Sequence, residues 1–226
     1  MRLTPALSHM LVERMQVASF SRRRHFELGD FARRSPSLEP FDGSVYDALV
    51  RRFLRPRVAA FAGSGLVLGV DAEPGWMDVL PVHAHVEAVS MLSPTEFEHA
   101  AVENADWVVL DRCLQLRTEI VLALDDVVQR MRKRAALVTF FTGIARAEPR
   151  DRAPFWSVAP YAARRLHEER RELEHVEVDQ YGNVTLALAW VYRLPLHDLT
   201  ERELAEVDPA YPLLVAVTAS KREQCE

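Results

Sequence analysis

Short apolar runs alternate with helix-like segments along most of this chain, and that alternation constrains its fold more than any other feature. Residues 66–70, 107–110 and 135–141 have the length and composition of strands that are buried on both faces. Between the last two runs, apolar residues recur at helical spacing over residues 118–134. Strands that alternate with helices are typical of a parallel sheet with helices on both faces. The sequence therefore predicts an α/β, doubly wound, mostly parallel fold.

Weaker patterns complete the predicted order of elements. Residues 82–92 alternate apolar and polar side chains as an extended segment does, and further strands are predicted at 174–180 and 211–219. A helix is predicted over 160–173, and another over 44–54 with Asp42 or Ser44 as its N-cap.

The domain organisation follows from the Pro/Ser-rich segment 33–44, which interrupts helix and permits a turn. We expect an N-terminal helical arm and linker over residues 1–40 and an α/β domain over residues 41–226. The arm carries an arginine cluster that begins with Arg22, Arg23 and Arg24. A solvated surface is the favoured interpretation, and a contact for an anionic substrate is the alternative.

Bulk composition excludes several classes of protein. The 226 residues carry a formal net charge of −5, which argues against a dedicated nucleic-acid binder. No run approaches the roughly 20 apolar residues of a membrane span. The two cysteines, Cys113 and Cys225, form neither a disulfide framework nor a zinc-ligand spacing. We expect a cytoplasmic protein with a small-molecule substrate and no nucleic-acid or membrane partner. Assembly into a homodimer is compatible with the sequence.

In a parallel sheet, ligands bind beyond the carboxyl ends of the strands. The loops after Val70, Leu110 and Phe141 are therefore the predicted location of the functional site. His83 and His85 would share one face of a strand, but no third ligand can be assigned, so we expect a solvated or hydrogen-bonded pair and no metal site.

The C-terminal half resembles class I S-adenosylmethionine-dependent methyltransferases, in particular a bacterial subgroup of polysaccharide and natural-product pathways. The resemblance is carried by ADWVVLDRCLQ (105–115), ALVTFFTG (136–143), FWSVAPYAARRL (155–166) and DQYGNVTLALAWVYRLPLHDLTERELAEVDPAYPLLVAV (179–217). It implies a seven-stranded sheet whose last strand inserts antiparallel beside its neighbour. Within these motifs, Tyr181-Gly182-Asn183 suits a special turn before a helix.

The resemblance also implies a site for S-adenosylmethionine across the ends of the first four strands. The residues that it assigns to the cofactor are Gly69, Val70, Asp71, Met91, Leu92 and Asp111. The cofactor loop departs from the family pattern, because Gly69 stands where an acid is expected and Asp71 and Glu73 stand where glycines are expected.

Two residues are predicted to be catalytic and two to face the acceptor. Tyr46 and Asp111 are the catalytic candidates, and Tyr46 and Trp156 the acceptor-binding ones. Each has a structural alternative: a core position for the Tyr46 ring with its hydroxyl at the surface, a helix N-cap for Asp111 and a packing anchor for Trp156. Gln115 is a further candidate for a cofactor or substrate contact.

Two functions remain open from the sequence. The first is transfer of a methyl group from S-adenosylmethionine to a small molecule, such as a sugar or a natural-product intermediate. The second is a methyltransferase-shaped protein that no longer methylates and uses the pocket for another reaction or as a non-catalytic binding partner.

Overall fold

The computed structural model describes residues 44–70, 74–80, 85–90, 100–145 and 154–223. The chain divides into a unit of Met1–Pro36 and a unit of Ser37–Glu226, and every described residue belongs to the second unit. The predicted helical arm and its arginine cluster lie outside the described residues. The division of the chain into residues 1–40 and 41–226 therefore stays a prediction.

Six strands form one mixed sheet in the described part of the chain. They are β1 (Ser64–Gly69), β2 (His85–Ser90), β3 (Trp107–Asp111), β4 (Ala136–Thr142), β5 (Leu173–Tyr181) and β6 (Leu214–Lys221). The strand order is β2-β1-β3-β4-β6-β5. Strands β1 to β4 are parallel, and β6 inserts antiparallel between β4 and β5. The α/β fold with a mostly parallel sheet is confirmed, and a seventh strand stays a prediction.

Five α-helices surround this sheet among the described residues: α1 (Val45–Leu54), α2 (Ile120–Arg130), α3 (Pro160–Glu168), α4 (Val184–Tyr192) and α5 (Glu201–Ala205). Helix α1 begins at Ser44, whose hydroxyl accepts from the Asp47 amide at 3.0 Å, while the Asp47 carboxylate accepts from Ser44 in return. This capping box satisfies two of the amides that a helix leaves unpaired at its start. Of the two predicted caps, the structure selects Ser44.

Helix α3 is shorter than the predicted helix over 160–173. The chain turns after Glu168, and the Leu173 amide donates to the Arg170 carbonyl at 3.0 Å as β5 begins. The Leu173 side chain is buried in the sheet core. Helical spacing over 160–173 was therefore misleading, because burial of Leu173 in a strand outweighs the local helix preference of the charged residues before it.

The two faces of the sheet carry separate apolar layers. On one face, Leu68, Leu110 and Phe141 pack with Val127 of α2 and Ala163 of α3. On the other face, Phe53 of α1 meets Phe140 edge-to-face at 5.4 Å, and Phe61 meets Trp107 in the same way at 5.1 Å. Apolar residues on both sides of each central strand confirm the prediction from the continuous apolar runs.

Gly65 in β1 explains how Trp107 fits into that second layer. A Cβ atom at Gly65 would lie 1.9 Å from the Trp107 ring, so the indole occupies the space of the missing side chain. Close packing at the base of β1 and β3 holds these two strands together, and it fixes where their carboxyl ends lie.

Candidate active site at the carboxyl rim

The carboxyl ends of β1, β3 and β4 form one rim, which we define as Gly69, Val70, Asp111, Arg112 and Thr142. The Val70 amide donates to the Asp111 carbonyl at 3.3 Å, and the Arg112 amide donates to the Phe140 carbonyl at 3.0 Å. Gly69 is also bridged to Arg112. Backbone hydrogen bonds therefore continue past the strand ends and keep the rim in one fixed arrangement.

Asp111 lies at the end of β3 and is completely buried. Its carboxylate accepts a short hydrogen bond from the Tyr46 hydroxyl and a longer one from the Trp76 indole at 3.4 Å. The predicted N-cap role of Asp111 is wrong, because its carboxylate bonds these side chains and the residue before the turn of Cys113–Leu116 is Arg112. Asp111 instead joins helix α1 and the segment after β1 to the sheet.

Arg112 completes this cluster from a strained backbone conformation. Its φ of 60° lies in the left-handed region, which costs free energy for a residue other than glycine. The guanidinium Nε lies 3.2 Å from the Asp111 carboxylate, and its carbon lies 4.4 Å from the centre of the Tyr46 ring. The side chain is 20% exposed. The ion pair with Asp111 and the cation–π contact with Tyr46 offset the free-energy cost of the strained backbone, so they stabilise this conformation of Arg112.

The environment of Tyr46 keeps its hydroxyl protonated. Burial raises the pKa of Tyr46 well above 10, the nearby negative charge of Asp111 raises it further, and Arg112 lowers it in part. A protonated phenol donates to Asp111 at neutral pH and does not act as a base. The predicted core position of the Tyr46 ring is confirmed, but the expectation of a surface hydroxyl is wrong, because the hydroxyl is buried and donates to Asp111.

S-adenosylmethionine, the cofactor implied by the sequence resemblance, can be compared with the described part of this rim. Gly69 brings no side chain into the rim, and a carboxylate at the end of β3 suits a cation. Asp111, however, reaches a ligand only by giving up Tyr46, Trp76 or Arg112. The residues therefore fit the cofactor in part. The other predicted ligands, Asp71, Met91 and Leu92, lie outside the described residues.

Gln115 belongs to a second polar cluster on the rim, beside β4. Its amide oxygen accepts from the Thr142 amide at 2.7 Å and from the Thr142 hydroxyl at 3.2 Å. Its amide nitrogen donates to the Thr142 carbonyl at 3.0 Å and to the Trp156 carbonyl at 2.6 Å. Both hydrogens and both lone pairs of this buried amide are used. Gln115 thus ties the end of β4 to the segment that carries Trp156.

The segment of residues 154–158, which we call the aromatic loop, presents large rings to solvent. Phe155 is 63% exposed and Trp156 is 44% exposed. The Trp156 indole donates to the Arg117 carbonyl at 2.7 Å, so the ring is held in place while part of its surface stays open. The indole hydrogen bond agrees with the packing-anchor alternative for Trp156, and its contact with an acceptor stays a prediction.

Sequence reasoning missed Trp76 and the conformation of Arg112. Trp76 lies three residues after Glu73 of the cofactor loop. Its ring is buried with its centre 5.8 Å from that of the Phe140 ring, and the local sequence pattern does not indicate this burial. Arginine is not a residue type that favours positive φ, so neither composition nor spacing indicates the turn after Asp111.

A surface cleft of about 410 Å3 is lined by residues of α2 and the α3–β5 connection. Its buried Arg170 pairs with Asp125 at 2.7 Å and donates to the Leu166 carbonyl, so it serves to join these elements.

Within the described ranges, no group of three His, Cys, Asp or Glu side chains is placed to hold a metal ion. None of the described helices is long and apolar enough to cross a membrane.

Comparisons with known proteins concern the fold. No protein-family model matches the chain, and no curated protein matches its sequence. Among solved structures, an S-adenosylmethionine-dependent methyltransferase from Archaeoglobus fulgidus is 13% identical with a TM-score of 0.47, covering 80% of this chain and 96% of that one.

Two other solved structures are similar to the same extent. The N-methyltransferase NodS from Bradyrhizobium japonicum WM9, in complex with S-adenosyl-L-homocysteine, is 13% identical with a TM-score of 0.45, covering 86% of this chain and 98% of that one. Phosphoethanolamine N-methyltransferase 2 from Haemonchus contortus is 10% identical with a TM-score of 0.46, covering 80% and 57% respectively. Structural similarity at such low sequence identity and TM-score gives no information on the substrate or the reaction of this chain.

The sheet itself is the feature that defines the class of fold. Its parallel strands β1 to β4 and the antiparallel insertion of β6 beside β4 are consistent with the methyltransferase-like fold that the sequence resemblance implies, over the six strands of the described residues.

Proposed function

We propose that this chain is an S-adenosylmethionine-dependent methyltransferase that acts on a small molecule, such as a sugar or a natural-product intermediate. The observation that supports this function is the convergence of β1, β3 and the aromatic loop on one carboxyl rim of a methyltransferase fold. Ligands of parallel α/β sheets bind at this edge.

In this proposal the cofactor lies along the end of β1, and the acceptor lies toward the aromatic loop. Gly69, Val70 and Asp71 would hold the cofactor from β1, and Met91 and Leu92 from the segment after β2. Bound there, the cofactor would supply an electrophilic methyl group for in-line displacement, which depends chiefly on alignment of the two reactants. Trp156 would face the acceptor.

The roles of Tyr46 and Asp111 in this proposal follow from their contacts. Tyr46 is protonated and Asp111 is bonded to three side chains, so neither is placed to take a proton from an acceptor. We infer that they act as a pair that fixes the shape of the rim. An acceptor that reacts without a strong base would suit this arrangement.

The second function, a methyltransferase-shaped protein that no longer methylates, is favoured by one observation. The Asp111 carboxylate is paired with the Arg112 guanidinium. A sulfonium held beside Asp111 would share that carboxylate with another cation, and two like charges in a partly buried site repel. A neutral or anionic ligand would not meet this repulsion.

Isothermal calorimetry with S-adenosylmethionine and with S-adenosylhomocysteine separates the two functions. A methyltransferase is expected to bind both ligands and to gain thermal stability from each, by an amount that grows with the ratio of ligand concentration to Kd. Asp71→Ala should weaken both affinities while leaving the melting temperature of the free protein unchanged. Absence of heat and of a thermal shift for both ligands would support the second function.

A further inference from the structure

The aromatic loop is rigidly anchored although its rings are exposed. The Phe155 amide donates to the Gln115 carbonyl at 2.8 Å, and the Val158 amide donates to the Thr142 carbonyl at 3.3 Å. The Ser157 hydroxyl accepts from the Ala145 amide at 2.9 Å. The backbone of the loop is therefore fixed, and the Trp156 ring, which its indole hydrogen bond also holds, loses little conformational entropy when it binds a ligand.

The polar atoms around Trp156 are already used within the protein. Its indole N–H donates to the Arg117 carbonyl, and its own carbonyl accepts from the Gln115 amide. What Trp156 presents outward is therefore ring surface. A ligand at this position would be recognised by stacking on a flat face more than by hydrogen bonds to the tryptophan.

We propose that Trp156, with Phe155 beside it, is a stacking subsite for a compound with a flat ring face, and that Gln115 is the positioning residue that holds this subsite on the rim. Sugar rings, which present a face of C–H groups, and aromatic rings share this recognition chemistry. Identification of the ligand as a methyl acceptor rests on the proposed function, whereas the stacking itself does not.

Gln115 suits this positioning role because it connects the subsite to the sheet. All four hydrogen-bonding positions of its amide go to Thr142 and Trp156. Asn183 offers a matched control elsewhere in the fold. It is also buried, and its amide donates to the Glu203 carbonyl at 2.7 Å and to the Glu206 carbonyl at 2.9 Å.

The tryptophans of the chain make the subsite directly observable. Trp76, Trp107 and Trp190 are buried, whereas Trp156 is 44% exposed. Quenching of tryptophan fluorescence by iodide therefore reports Trp156 selectively. We expect Trp156→Leu to remove most of the quenchable emission and to leave the fold intact, because the side chain lies at the surface.

Ligand binding is tested with three probes, namely methyl β-glucopyranoside, benzyl alcohol and tetramethylammonium, by saturation-transfer NMR. We expect one of the two ring probes to bind and to protect Trp156 from iodide. Trp156→Leu should weaken that binding about tenfold, and Trp156→Phe, which keeps a ring, should weaken it less. A response to the sugar alone or to the aromatic alcohol alone identifies the source of the ring. Binding of tetramethylammonium only, or of no probe, would overturn the proposal.

The positioning role is tested by Gln115→Ala beside Asn183→Ala. We expect both to lower the melting temperature, but only Gln115→Ala should change iodide quenching of Trp156 and weaken the ring probe under conditions where the variant is folded. Equal effects of the two variants on Trp156 would show that Gln115 has a merely structural role, as would no effect of either. If Gln115→Ala does not fold, Gln115→Glu provides the same test.

The outcome is distinguishable from that of the proposed function. A chain that binds a ring probe at Trp156 but neither S-adenosylmethionine nor S-adenosylhomocysteine keeps the stacking subsite and loses the methyltransferase function. A chain that binds the cofactor but no ring probe does the reverse.

Discussion

The C-terminal segment 181–206 and the carboxyl rim use their polar side chains in different ways. In the C-terminal segment, Asn183 caps α4 by accepting from the Leu186 amide at 3.0 Å, and Thr200 and Glu203 form a capping box at α5. The partners of these side chains are backbone groups or each other. These motif residues therefore specify where helices begin. They explain why the motifs indicate the fold and give no information on catalysis.

At the rim, polar side chains meet across long stretches of sequence. Tyr46 and Asp111 are 65 residues apart in sequence, and Arg112 adds a strained backbone and a charge beside them. Strain and buried charge cost free energy, and they cluster where a protein binds or reacts. The difference teaches that the C-terminal segment carries polar residues that specify helix ends, whereas the rim gathers strained and charged residues, which is where we propose that the chain binds its ligand.

The largest expected effect comes from Gly182, at the start of the C-terminal segment. Its φ of 133° is accessible to glycine only, and a Cβ atom there would lie 2.6 Å from the Leu213 amide nitrogen. We expect Gly182→Ala to lower the free energy of unfolding by about 3 kcal/mol or more, measured by urea denaturation. Gly75→Ala is the control, since its Cβ would meet only the Asp47 side chain, and it should change stability by about 0.5 kcal/mol or less. Equal effects would contradict the assignment of strain to Gly182.

Protonation of the buried His167 at acid pH should lower the free energy of unfolding. Burial, with a smaller contribution from the charge of Arg170, lowers the pKa of His167 to about 4, although the hydrogen bond to the Ala163 carbonyl opposes this shift. The ring donates through Nδ1 to the Ala163 carbonyl at 2.8 Å and accepts through Nε2 from the Thr139 hydroxyl at 3.0 Å, so the neutral form is favoured. Because the folded pKa lies below the unfolded value, the stability is fully present above about pH 6.5 and is lost as pH falls through 4.

We expect this loss to reach about 3 kcal/mol at pH 4 and below, seen as a falling urea midpoint. His167→Gln should remove that part of the pH dependence while costing stability at neutral pH. A wild-type midpoint that is constant between pH 7 and pH 4 would rule out the buried neutral histidine.

Removal of the Tyr46 hydroxyl tests the rim itself. Tyr46→Phe leaves Asp111 without its closest donor, and we expect a loss of about 1–2 kcal/mol in the free energy of unfolding. The raised pKa of Tyr46 also means that its stabilising contribution is present below about pH 10 and is lost as pH rises above that value. Tyr46→Phe should therefore show a weaker alkaline loss of stability than the wild type. Identical alkaline limbs would place the Tyr46 hydroxyl in a more exposed position.

The smallest expected effects come from the two capping boxes, one at α1 beside the rim and one at α5 in the C-terminal segment. Ser44→Ala and Thr200→Ala should each cost about 1 kcal/mol in unfolding experiments, because each leaves a helix amide without its acceptor. Only Ser44→Ala should change the affinity of a rim ligand, since α1 carries Tyr46. A ligand affinity that changes equally in both variants would erase the distinction between the two regions.

Much of the fold could be predicted from the sequence, because its signals are local. Continuous apolar runs indicated β1, β3 and β4, and the Gly182-Asn183 pair indicated the turn before α4. The end of α3 could not be predicted, since it depends on the burial of Leu173 against residues far along the chain.

The candidate site was predictable only in part. The family resemblance singled out Tyr46 and Trp156, and the end of a family-type strand singled out Asp111. Their partners could not be predicted, because the contact of Tyr46 with Asp111, the burial of Trp76 and the positive φ of Arg112 all arise from tertiary packing. The predicted roles of Asp71, Met91 and Leu92 stay predictions.

Hydrogen exchange with and without S-adenosylhomocysteine tests most directly whether the carboxyl rim is the ligand site. We predict that saturating ligand slows amide exchange in peptides that cover residues 64–70 and 107–116 and leaves exchange in residues 181–206 unchanged. Protection confined to residues 181–206, or no protection anywhere in the chain, would contradict the assignment of function to the rim.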